Sequence, residues 1–183
     1  MLNQQEQEQL IDVAKQSIKY GLEHGERLEV DSNDYPASLT PRRATFVTLK
    51  KNSQLRGCIG TLTAHAPLVI DVADNAFSAA FKDPRFPPVT EKEFNDLQYH
   101  ISILSEPEPM QIKNEQDLLD QLRPGIDGVV LHEVSRRSTF LPSVWESLSD
   151  PKSFIENLKL KAGLDKDYWS DTIHFERYTV EEF

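Results

Sequence analysis

The 183-residue sequence contains one cysteine, Cys58, so it forms no internal disulfide, which suits a reducing compartment. It has no Cys-x-x-Cys, and its five histidines never fall at His-x-x-x-His spacing, so the usual sequence signs of a metal centre are missing. It also lacks a Walker phosphate loop and a Gly-x-Gly-x-x-Gly fingerprint. No apolar run approaches the roughly 18 residues of a membrane-spanning helix. The opening Met1-Leu2-Asn3-Gln4-Gln5-Glu6 shows neither the basic nor the apolar region of a secretory signal. Positive charge is scarce, at 20 basic against 30 acidic residues and a net charge of −10. Such a chain repels phosphate backbones, and Arg42-Arg43, Lys50-Lys51 and Arg136-Arg137 are too short to reverse that. The expectations are therefore a cytoplasmic protein with no membrane segment, no metal site and no nucleic-acid partner.

What the chain does contain is regular patterning. Leu10, Ala14, Ile18 and Leu22 recur every four residues and predict an N-terminal helix, with Gly21 and Gly25 at its end. The period then changes to two. Ala44 to Lys50 and Gln54 to Thr61 predict a hairpin around Asn52-Ser53. In the return strand, strict alternation puts Leu55, Gly57 and Ile59 on one face and Arg56, Cys58 and Gly60 on the other. Pro67 opens a helix carrying Leu68, Val72, Ala76 and Ala79, which stops before Asp83-Pro84. Thr90 and Glu93 have capping-box spacing, and Tyr99 to Leu104 reads as a strand.

The second half follows the same order. A short helix begins at Asn114 and Asp117, and a strand runs from Gly128 to Val134. The pattern then gives a turn over Ser135–Ser138, a partner strand over Thr139–Leu141, a helix opened by Asp150-Pro151 and closed at Gly163, and a last strand from Thr172 to Tyr178. Hairpin, helix and strand thus occur twice behind an N-terminal helix. This predicts an α+β fold, one domain over residues 1–183, with two lobes sharing a cleft of the kind that takes ligands.

Leu55-Arg56-Gly57-Cys58-Ile59-Gly60-Thr61 is the segment that carries chemistry. Glycine weakens a strand and marks a bulge or a close backbone approach, so Gly57 and Gly60 need another reason to be there. A thiolate is a nucleophile and a nearby cation favours it, a role that Arg56 is expected to fill from the same face. Thr61 adds a hydroxyl donor. In the Asp83-Pro84-Arg85-Phe86-Pro87-Pro88 loop, Asp83 is expected to orient Arg85 through a bidentate pair, with Arg85 meeting an anion. Against this, free cysteine is often a small core residue, and no histidine adjoins Cys58 in sequence to act as its base.

These segments resemble the AMMECR1-domain family. The resemblance rests on the Leu55–Thr61 signature, Asp83-Pro84-Arg85-Phe86, Ile101-Ser102-Ile103-Leu104-Ser105, Phe140-Leu141-Pro142 and Lys161-Ala162-Gly163-Leu164, and covers about residues 6 to 180. It implies an α+β fold of two β-rich repeats with the signature near an inter-lobe cleft. It also implies association with Memo-type and radical-SAM proteins, hence an accessory role in a modification pathway, and it names no cofactor. Two departures stand out. Many members have glutamine where this chain has Ser143, and many prokaryotic members have a cysteine just before the Lys161 segment, where this chain reads Leu158-Lys159-Leu160-Lys161.

Three readings follow. The favoured one is a ligand- or partner-binding domain using Arg56, Gly57, Gly60, Thr61, Asp83 and Arg85 beside Cys58. The second is a thiol-dependent enzyme with Cys58 as its nucleophile. The third is an interaction module in which the signature serves only the fold.

Overall fold

The computed structural model describes residues 1–183, which divide into two units, Met1–Leu104 with Glu181–Phe183, and Ser105–Val180. The fold is α+β, with two four-stranded antiparallel sheets.

The first unit begins with α1, Gln4–His24, whose N-terminus is closed by reciprocal bonds between Asn3 and Glu6. Its buried stripe includes Leu10, Val13, Ala14 and Ile18. Gly25, at φ 74°, ends the helix in the left-handed region. Gly21 does not end it. It lies inside α1, where a Cβ would come within 2.5 Å of the Phe81 ring, so this glycine lets the two helices approach. Strands β1, Ala44–Lys51, and β2, Gln54–Gly60, are joined by Asn52 and Ser53, both at positive φ, as a twist-matched two-residue hairpin requires. Then come α2, Leu68–Phe81, α3, Glu91–Phe94, with its Thr90–Glu93 capping box, and β3, Leu97–Leu104. A short β8, Val180–Glu182, completes the order β2-β1-β3-β8. Val47, Leu49, Ile101 and Ile103 point to α1 and α2 and build the core with Leu10, Ile18, Val72 and Ala76.

The second unit contains β4, Glu108–Pro109, α4, Glu115–Gln121, β5, Gly128–Glu133, β6, Arg136–Phe140, α5, Pro151–Lys161, and β7, His174–Tyr178. The sheet order is β4-β7-β5-β6. Its core is Leu118, Val129, Leu131, Ile155, Leu158 and Phe175, with Trp145 stacked on Phe154 at 3.8 Å. In each unit the first hairpin strand is central, flanked by its partner and by the strand after the helix, so the predicted repeat of hairpin, helix and strand is real. The second turn differs from expectation. Only Val134 and Ser135 form it, and Arg136, Arg137 and Ser138 already belong to β6. Val134 sits at φ 50°, an unfavourable place for a β-branched residue, which is why the sequence pattern points elsewhere. The two short strands β4 and β8 are too brief to show a period.

Candidate functional site

The candidate residues all lie in the first unit, around β2. Register decides which way each one points. Leu49 pairs with Gly57 but Lys50 pairs with Leu55, so Arg56 is an extra residue, a β-bulge. The bulge resets the alternation. Leu55 joins Cys58 and Gly60 on the outer face, while Arg56 leaves it. Arg56 therefore does not share a face with the thiol. Its guanidinium is buried against α3, donating from Nε and Nη2 to Glu93 at 2.9 and 3.1 Å and from Nη2 to the Pro88 carbonyl at 3.3 Å. Arg56 foremost holds the Glu93 carboxyl well below the usual carboxylate range. Lys51 adds a contact to Glu93 at 3.3 Å. Two of its nitrogens are committed and the third, Nη1, is buried without a protein partner, so the guanidinium is turned to α3 and away from the face that carries Cys58.

The glycines answer to packing. Gly57 faces α2, where a Cβ would lie 2.1 Å from the Ala79 carbonyl oxygen. Gly60 lies under Phe46, its cross-strand partner, whose ring atoms would stand 2.4 Å from a Cβ. The Thr61 amide donates to Thr45 O, and its hydroxyl is spent on Thr63 O at 3.1 Å.

Strand β2 is a sheet edge, and the Asp83–Arg85 loop closes it at Cys58. The buried Asp83 carboxylate accepts the Cys58 amide proton at 2.9 Å. It also accepts from Arg85 N, Nε and Nη2 at 3.1, 3.0 and 2.7 Å. Arg85 Nη2 in turn donates to the Cys58 carbonyl at 3.1 Å. Two side chains thus occupy the donor and acceptor that a neighbouring strand would take, which protects an edge against unwanted pairing. The expected bidentate pair is present. Arg85 holds the Asp83 carboxyl well below its ordinary value despite burial, with the Cys58 amide helping. Arg85 is itself pushed up, mainly by Asp83, with a smaller contribution from Cys58.

With its backbone fixed, Cys58 projects a half-buried thiol from the outer face. Sγ lies 3.1 Å from Thr48 Oγ1. In register, Cys58, Thr48 and His100 form one row across β2, β1 and β3, and Gly60, Phe46 and Ser102 form the next. Thr48 and Phe46 escape sequence reasoning because they belong to a different strand, and only hairpin register brings them here. His100 is exposed on the same face. His65, the nearest histidine in sequence, turns elsewhere, with Nε2 3.4 Å from the buried Asp71 and Nδ1 3.1 Å from Thr63 O. Burial pushes the Asp71 carboxyl up, opposed first by its bond from Thr45. No group of three or more His, Cys, Asp or Glu side chains is arranged to hold a metal ion, and no helix is long and apolar enough to cross a membrane.

This architecture and these sequence elements recur in known proteins. The model of a family described as AMMECR1 matches residues 11–183. A protein of Thermotoga maritima is 39% identical over 169 residues, covering 91% of each chain. One from Methanothermobacter thermautotrophicus is 35% identical over 171 residues, 93% of this chain and 88% of its own. The crystal structure of an uncharacterised protein from Pyrococcus horikoshii superposes with a TM-score of 0.86 at 30% identity, covering 99% of this chain and 92% of that one.

Proposed function

This chain belongs to the AMMECR1 family, and we propose that it is a ligand-binding domain whose contact surface is the outer face of the first sheet around Cys58. One observation carries this reading: the Cys58 backbone is held on both its donor and its acceptor by Asp83 and Arg85, while its thiol projects away from the core. A cysteine needed only for packing would turn inward with Val47 and Leu49. Rigid support beneath a partly exposed group is the arrangement a binding site needs. Gly57, Gly60, Arg56 and Asp83 serve as the frame, and Cys58, Thr48 and Arg85 as the contacts.

The test is a fragment library followed by amide NMR. Binders are expected to shift Thr48, Cys58 and His100 together. Binders that cluster elsewhere and leave this row unmoved would refute the assignment. A second reading, a thiol-dependent reaction, draws on the Thr48 hydroxyl at 3.1 Å from Sγ, a donor able to stabilise a thiolate. Loss of turnover with retained binding in Cys58→Ser would select it.

A further inference from the structure

The outer face carries little of the negative charge that marks the rest of the chain. Its strand residues include Lys50 and His100, and the one carboxylate among them is Glu182, on the far edge strand and bonded to Ser102 at 3.2 Å. At the near edge stands Arg85. Nε and Nη2 are committed to Asp83 and to the Cys58 carbonyl, which fixes the plane of the guanidinium. Nη1 has no protein partner, and the side chain is 54% exposed. A held guanidinium with one open nitrogen costs a ligand little ordering entropy, unlike a free surface arginine.

From this geometry we infer that the face takes a ligand bearing a carboxylate, which Arg85 Nη1 receives beside the Cys58 thiol while the Phe46 ring, lying on Gly60, floors the adjoining part. The inference rests on the outer face being the ligand site. One open nitrogen without a cluster of backbone amides suits a singly charged carboxylate better than a phosphate dianion, which calls for several donors at once. Thr48 Oγ1, already beside Sγ, supplies a further polar contact.

The lone thiol provides the probe. Iodoacetate carries a carboxylate and iodoacetamide does not, yet both react alike: sulfur attacks the methylene carbon, the C–S bond forms as C–I breaks, iodide leaves with the electron pair, and the thiol proton goes to solvent. The measured quantity is the iodoacetate-to-iodoacetamide rate ratio at Cys58, relative to that of the denatured chain. The expected native ratio is ~3- to 30-fold higher at low salt, falling towards the denatured value as salt rises. Arg85→Gln should remove the preference, and the salt series on the unaltered protein gives the same reading without a substitution. If the native thiol reacts with both reagents at the denatured ratio, with no dependence on salt or Arg85, the carboxylate inference fails while the open-face reading stands. If the native thiol reacts with neither, the open-face reading itself fails and takes this inference with it.

Discussion

Removing the Asp83 carboxylate should loosen the β2 edge, and the size of the effect follows from what is left behind. Asp83→Ala takes away the acceptor of four bonds, from Cys58 N, Arg85 N, Arg85 Nε and Arg85 Nη2. Breaking a fully buried ion pair costs about 3–5 kcal/mol because a charge is stranded. Here the surviving guanidinium is 54% exposed and rehydrates, so that full penalty does not apply. The stranded group is the half-buried Cys58 amide, and an unpaired buried donor costs about 1–3 kcal/mol. The expected loss is therefore about 2 kcal/mol for Asp83→Ala, and about half that for Asp83→Asn, which keeps one acceptor oxygen. Both tryptophans, Trp145 and Trp169, lie in the second unit, so their fluorescence reports that unit. Urea unfolding of the first unit should instead be followed by hydrogen exchange, with the Cys58 amide as the local reporter. A loss below about 0.5 kcal/mol with unchanged Cys58 amide protection would refute the clamp. The pH dependence gives a second check. Because the folded Asp83 carboxyl lies below its unfolded value, its contribution is complete above the unfolded value and is lost as pH falls through the folded one. Asp83→Asn should flatten the acid limb of the stability curve.

Gly57→Ala should cost more than the ordinary glycine-to-alanine change. With a Cβ 2.1 Å from Ala79 O, either β2 or α2 must shift, and overpacking of this kind costs about 1–3 kcal/mol in chemical denaturation. Unchanged stability would show that the strand–helix contact is loose. Asp71→Asn should act in the opposite sense. Burial raises the Asp71 carboxyl, so its contribution to stability is present below the unfolded value and lost as pH rises through the folded one. The amide variant keeps an acceptor for Thr45, and its stability relative to the parent should improve as the titration moves from acid to neutral pH; a relative decline would contradict the assignment. Val134→Gly should stabilise the second unit by about 1 kcal/mol, measured through tryptophan fluorescence, because it relieves a positive φ at a residue that is 87% exposed. Destabilisation would show that the Val134 side chain makes a contact of consequence.

Much of the fold is written locally. Helix ends announce themselves through Thr90 and Glu93, Asn114 and Asp117, and Asp150 with Pro151, because capping is decided within four residues. The β1–β2 hairpin is equally local, since Asn52 and Ser53 accept positive φ. Non-local information is where alternation misleads. The bulge at Arg56 turns Arg56 away from the face that alternation assigns it, and the partner it meets there is Glu93, 37 residues away. Arg56 looks like the companion of the thiol, whereas Arg85, 27 residues on, is the arginine that reaches Cys58. Thr48 becomes a neighbour only through strand register, which one sequence does not reveal. The signature is thus easy to find, but which of its side chains are spent inside the fold is not: Arg56 and Asp83 are bonded within it and Gly57 and Gly60 are packed, whereas Cys58 is half-buried and Arg85 is more than half exposed.

The most direct test of that division is the rate of Cys58 alkylation by iodoacetamide as a function of urea, below and through the unfolding transition. If the thiol faces solvent from a clamped backbone, labelling proceeds in the native state at a rate nearly independent of urea until the transition. Labelling that appears only in step with global unfolding would make Cys58 a core residue and contradict the account.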